Sequence, residues 1–178
     1  MPSLRFGRVE GPLGPMWVAE TDAGIAAISR DDTPDALLAT VRRRYPADEP
    51  VLDQVDGAWL SDRLPPALDT SGLSDFDARV YDVVRGVPSG ETVTYGEVAG
   101  LIGSPGAARA VGGAMARCPF FPAVPCHRVV RASDGWSGWG GDDRLKRRLL
   151  DAERAAAAQP ARSSISRADA AATRARVS

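Results

Sequence analysis

The chain is poor in the residues that most often carry metals or crosslinks: 178 residues contain one histidine, one lysine and two cysteines. Two cysteines cannot build a disulfide framework, and a reducing, cytoplasmic setting is the expectation. A zinc site made only of Cys and His would need almost every such residue, so no metal is expected. No apolar run approaches the roughly 20 residues that cross a bilayer, which excludes a membrane span. The N-terminal residues lack the basic-then-apolar build of a secretory signal. Aromatic residues make up only 6%, yet hydrophobic residues reach 44% and charged residues 25%, an ordinary soluble globular balance.

Charge is unevenly placed. Residues 1–104 carry 9 basic and 17 acidic side chains, whereas residues 105–178 carry 13 basic and 6 acidic. The halves stand at −8 and +7, and together they give the net −1. A positive C-terminal half can attract a polyanion such as DNA. On charge alone, a solvated surface with an Arg-rich tail is the better reading.

The first thirty residues pattern as antiparallel strands, with breaks at residues 11–15 and a tight turn at Asp22-Ala23-Gly24. Thr33-Pro34-Asp35 predicts a helix start with Thr33 as N-cap, and Pro46 stops that helix. Residues 47–73 are rich in Asp and Pro and read as a short helix and a linker. Ser74 opens a second half. Phe76, Val80, Val83 and Val84 share a helix face that ends near Gly86. Thr94 and Glu97 have capping-box spacing, so a helix starts there and ends at Gly103. Ser104-Pro105 predicts the cap of another helix, running to about Met115. Two short helices across a tight turn read as a helix-turn-helix. Residues 142–154 form a docking helix, apolar at Leu145, Leu149 and Leu150. From Ala155 onward no apolar period remains, and a disordered tail is expected.

The chemistry-bearing stretch is PCHRVV, residues 125–130. A cysteine is a nucleophile as its thiolate, which needs a base or positive charge nearby. Cys126 and His127 are adjacent, but neighbours on an extended segment face opposite ways. A tight turn at Pro125, or a bridging water, is needed to connect them. The dipeptide by itself is equally a buried cysteine beside a chance histidine.

The flanking motifs add the specificity. Tyr95 lies in TVTYGEVA, residues 105–115 read PGAARAVGGAM, a Gly-rich loop occupies 138–141, and LLDAE closes the run at 149–153. In this order and spacing, the segment 73–154 resembles the O6-alkylguanine-DNA alkyltransferase family, the methylated-DNA–protein-cysteine methyltransferases. The resemblance implies an α+β fold. A small ribonuclease-H-like α/β domain (1–73, with linker) would precede a mostly helical domain (74–154) holding the helix-turn-helix and reactive cysteine, then the tail (155–178). It implies DNA repair by a suicide reaction without a cofactor. A damaged guanine is flipped from duplex DNA, and Cys126 takes its alkyl group once.

The same resemblance implies roles for single residues. His127 would take the Cys126 proton, Glu153 would orient His127, and Tyr95 would donate to the departing guanine. Arg109, flanked by Ala108 and Ala110, would enter the base stack from the minor groove. Arg128 is a further DNA contact. Val129, Trp139 and Met115 would line the base pocket, with Trp136 a possible second wall. The partner would be duplex DNA carrying O6-alkylguanine, and the protein a monomer. Cys118-Pro119 falls where the family has Asn-Pro, and cysteine lacks an amide's donors and acceptor. The turn should therefore loosen, or another group must substitute. The alternative reading is a lesion-binding protein that flips alkylguanine and signals without chemistry.

Overall fold

The computed structural model describes residues 4–11, 13–55, 57, 66–133, 135 and 142–158. It is a mixed α+β structure with a small sheet and several helices. The sheet takes β1 (Arg5–Gly11), β2 (Gly14–Thr21), β3 (Gly24–Ser29) and β4 (Val51–Leu52) in the order β3-β2-β1-β4. The first three strands pair antiparallel, and β4 lies parallel to β1. Between β3 and β4 the chain crosses by α1 (Asp35–Arg44). Gly24 turns β2 into β3 at φ 133°, a conformation open to glycine and rarely to other residues.

Strand alternation sends side chains to two different cores. Leu4, Phe6, Ala19 and Ala26 pack with Leu37, Val41 and Tyr45 of the α1 region. Met16, Val18 and Ile25 point the other way, into the helical half. That half contains α2 (Asp75–Arg85), α3 (Tyr95–Leu101), α4 (Ala108–Ala116) and α5 (Asp143–Ala158). A two-strand parallel pair, β5 (Val93–Thr94) with β6 (Val129–Val130), ties α3 to the segment after Cys126. The larger core thus spans both expected domains, from Met16 and Val18 to Val80, Val98, Val111 and Cys126. Ile28 N–H donates to the Pro119 carbonyl at 2.7 Å, joining β3 to the loop after α4.

One predicted cap holds: Thr94 and Glu97 form the full capping box. Ser74, read only as the opening of the second half, also caps α2, accepting from Asp77 N–H. Two other predicted caps do not hold. Thr33 turns its hydroxyl to the Asp35 carboxylate at 2.8 Å, so Pro34 stands at the N-cap of α1 without a side-chain bond. The Ser104 carbonyl closes a separate turn by accepting from Gly106 and Ala107, and α4 begins only at Ala108. Within the described part of 47–73 there is β4 and a bridge from Leu68 to Ile25, with no helix. The helix expected over 142–154 continues to Ala158, four residues into the expected tail. Residues 159–178 lie outside the described residues.

Candidate active site

Cys126 opens a single 3-10 turn, Cys126–Arg128, between Pro125 and β6. The turn is what separates neighbouring side chains. Cys126 lines a cavity of about 240 Å³ with Arg30, Met115, Ala116, Cys118, Phe121 and Asp142. His127 lines a second one, of about 300 Å³, with Arg128, Leu149 and Glu153. Phe121 borders both, and its ring meets His127 edge-on at 5.7 Å. Cys126 is 2% exposed. A hydrogen bond with the Cys118 thiol, together with burial, pushes the Cys126 thiol well above its ordinary value. The positive charge of Lys146 acts in the opposite direction. At rest the thiol is protonated and needs a base.

The residue after Cys126 is tied to α5. Glu153 Oε1 lies 2.8 Å from His127 Nε2 and 2.8 Å from Arg128 Nη2. Its Oε2 accepts from Arg128 Nε at 3.0 Å and from Gly90 N–H at 3.3 Å. Burial opposes the carboxylate charge, but the bonds from His127 and Arg128 outweigh it and hold Glu153 at about 2. An ionised carboxylate only accepts, so the proton sits on Nε2, and Nδ1 is where the neutral ring takes up the next one. That Nδ1 is buried. Close approach of α5 explains the residue at 90: a Cβ there would lie 3.0 Å from Ala157 Cβ.

Arg128 is committed inward. Besides Glu153 it donates to the Val87 carbonyl at 2.6 Å, and its side chain is only 16% exposed. Tyr95, the first residue of α3, is half-buried with its ring beside Gly112 of α4. It does not line the Cys126 cavity among the described residues. Arg109 and Ala110 are exposed and Ala108 half-buried on the first turn of α4. Val129 is fully buried, and its carbonyl accepts from Lys146 Nζ at 2.7 Å. Met115 does line the cavity. Trp136, Trp139 and the 138–141 loop lie outside the described residues.

Two residues of the site had no role assigned to them from the sequence. Lys146 is completely buried, although it is the chain's sole lysine. Its spacing from Leu150 and Glu153, four and seven residues on, already puts it on the inward face of α5. Cys118, noted in the sequence only as a departure from the family's Asn-Pro, lines the same cavity as Cys126. Close to position 118, two side chains brace the end of α4. Arg117 grips Asp77 with two bonds, at 3.0 and 2.8 Å, and Tyr81 OH donates to the Ala114 carbonyl at 3.0 Å. Both join α4 to α2. Among the described residues, no three His, Cys, Asp or Glu side chains cluster as metal ligands.

Residues 75–155 match the family described as 6-O-methylguanine DNA methyltransferase, DNA binding domain. A Mycolicibacterium paratuberculosis methylated-DNA–protein-cysteine methyltransferase is 49% identical over 155 residues, covering 85% of this chain and 93% of that protein. Its Mycobacterium tuberculosis namesake is 49% identical over 90 residues, 51% of this chain; the alignment spans about half of that protein, 54%. A solved Mycobacterium tuberculosis O6-methylguanine methyltransferase superposes with a TM-score of 0.65 at 31% identity, covering 89% of this chain and 96% of that one. A Thermus thermophilus protein named DNA base-flipping protein is 37% identical over 146 residues, 78% of this chain and 92% of that one. No described helix is long and apolar enough to cross a membrane. With site and sequence agreeing along most of its length, the chain belongs to the methylated-DNA–protein-cysteine methyltransferase family.

Proposed function

We propose that this protein repairs O6-alkylguanine in duplex DNA by moving the alkyl group irreversibly to Cys126, one turnover per molecule. The observation that carries this reading is the Cys126 thiol facing a cavity while the next residue is locked to an ionised carboxylate. His127 removes the thiol proton, directly or through water, and Glu153 stabilises the resulting imidazolium. The sulfur then attacks the alkyl carbon, the carbon–O6 bond breaks, and its electron pair leaves with guanine. Tyr95 donates to the guanine ring, which lowers the cost of that departing charge. Lys146 favours the thiolate by its charge. Arg128 acts as a positioning residue for Glu153, because its donors are already committed.

We read α3 and α4 as a helix-turn-helix whose second helix lies in the minor groove. Arg109 fills the gap left by the flipped base, and its alanine neighbours allow close approach. Met115 belongs to the pocket wall, and Val129 supports the Cys126 segment from within the core. We read the β-sheet and α1, residues 1–73, as the ribonuclease-H-like unit and 74–154 as the DNA-binding unit. The strand order and the parallel β1–β4 pair support that assignment. We further read the protein as a cytoplasmic monomer.

The test is intact-protein mass after incubation with duplex DNA carrying O6-methylguanine. A gain of one methyl group, mapped to Cys126, is expected. Cys126→Ala should abolish the gain and retain binding to alkylated DNA. Lesion-selective binding without any mass gain would support the second reading, lesion recognition alone. The name of the Thermus thermophilus relative favours that reading.

A further inference from the structure

The two cysteines do not behave as one nucleophile and one filler. Both are free thiols, and both line the same 240 Å³ cavity. The chain between them doubles back. Cys118 N–H donates to the Met115 carbonyl at the end of α4, Val124 N–H to Phe120, and Cys126 N–H to Val124. This brings the Cys118 and Cys126 side chains to the same cavity. Both are reached from the cavity, but Cys118 is half-buried whereas Cys126 is 2% exposed. Alkyl transfer gives Cys118 no task.

We propose that Cys118 and Cys126 form a redox couple, in which a hydroperoxide converts the pair to a reversible disulfide across the cavity. The more accessible Cys118 meets the oxidant first. Its sulfur attacks the peroxide oxygen, the O–O bond breaks, and Cys118 becomes a sulfenic acid while the peroxide leaves as an alcohol or water. The Cys126 sulfur then attacks the Cys118 sulfur. The S–S bond forms, the S–O bond breaks, and water departs with the Cys126 proton. The peroxide is reduced by two electrons, and the thiol pair is oxidised by two. In this form the Cys126 sulfur is occupied, so it neither accepts an alkyl group nor climbs to the irreversible sulfinic state. A low-molecular-weight dithiol restores both thiols by exchange. Loss of alkyl acceptance rests on the function proposed above, but formation of the disulfide does not.

The full chain is treated with stepwise hydrogen peroxide and its thiols are counted in denaturant before and after dithiothreitol. Trypsin cuts after Arg117 and Arg128, so both cysteines fall in one peptide, Cys118–Arg128. That peptide should lose about 2 Da, with both thiols lost together and both recovered on reduction. Mass gain from O6-benzylguanine should fall to background in the oxidised protein and return after reduction. In Cys118→Ser, peroxide should instead add oxygen to Cys126 beyond recovery by dithiothreitol. Thiols that stay titratable, oxygen added to Cys126 in the unaltered chain, or a disulfide-linked dimer on a non-reducing gel would each overturn the proposal. If the disulfide forms but reduced protein never accepts benzyl, the couple stands and the transfer reading fails.

Discussion

Glu153 has the most demanding task of any single residue. One carboxylate serves His127, Arg128 and the Gly90 amide. Its value of about 2, against 4.5 for an ordinary glutamate, means that the unfolded chain binds more protons than the folded chain in the interval between. Stability is therefore complete above pH 4.5 and is lost as pH falls through about 2. At most about 3 kcal/mol is at stake. Glu153→Gln should flatten this acid limb, as read by urea melts across the interval, and should also slow alkyl transfer at neutral pH. An unchanged acid limb would mean that the carboxylate carries no linkage. Glu153 was readable only through the family motif, because nothing in its own spacing distinguishes it from a surface residue of a charged helix. The inward face of Lys146 was readable from its spacing, but its complete burial and the cavity that Cys118 shares with Cys126 depend on contacts across distant segments, which local pattern does not report.

At the scale of elements, the short helix α4 presents one face to each task. Val111, Ala114 and Met115 are buried, and Met115 borders the thiol cavity, while Arg109 and Ala110 stand in solvent. Arg109→Ala should leave reaction with free O6-benzylguanine near normal and slow transfer from duplex DNA at least tenfold, the loss of about 1.4 kcal/mol of barrier lowering. Equal slowing on both substrates, in paired rate measurements, would remove Arg109 from base-stack insertion. Helix starts were legible where the capping side chain bonds its own helix, as at Ser74 and Thr94. They misled where a polar group had a better neighbour. Thr33 finds the Asp35 carboxylate, and Ser104 closes its own turn. The β5–β6 pair escaped notice because each strand is only two residues long, and such strands are defined by their partner.

Across the whole molecule, one continuous core runs from the sheet to the Cys126 segment. Cys126 belongs to that core and also borders the cavity, so an added group that outgrows the cavity presses on packed side chains, and overpacking typically costs about 1–3 kcal/mol. Benzylated protein should melt lower than unmodified protein, by about 2–4 °C for each kcal/mol lost. Differential scanning calorimetry of both forms checks this, and a higher melting temperature would mean that the cavity holds the adduct without strain. This continuity crosses the expected division at residue 73, and the seam from Ile28 to Pro119 that contributes to it was not readable from local pattern. The burial of Lys146 has a practical consequence as well. The folded surface offers amine-directed reagents no lysine side chain among the described residues, and the sequence holds no other. Acylation of Lys146 requires α5 to lift from the Val129 carbonyl. The chain thus carries its own label for unfolding, a single lysine amine whose capture rate, read at residue 146, reports how often the last helix leaves its seat.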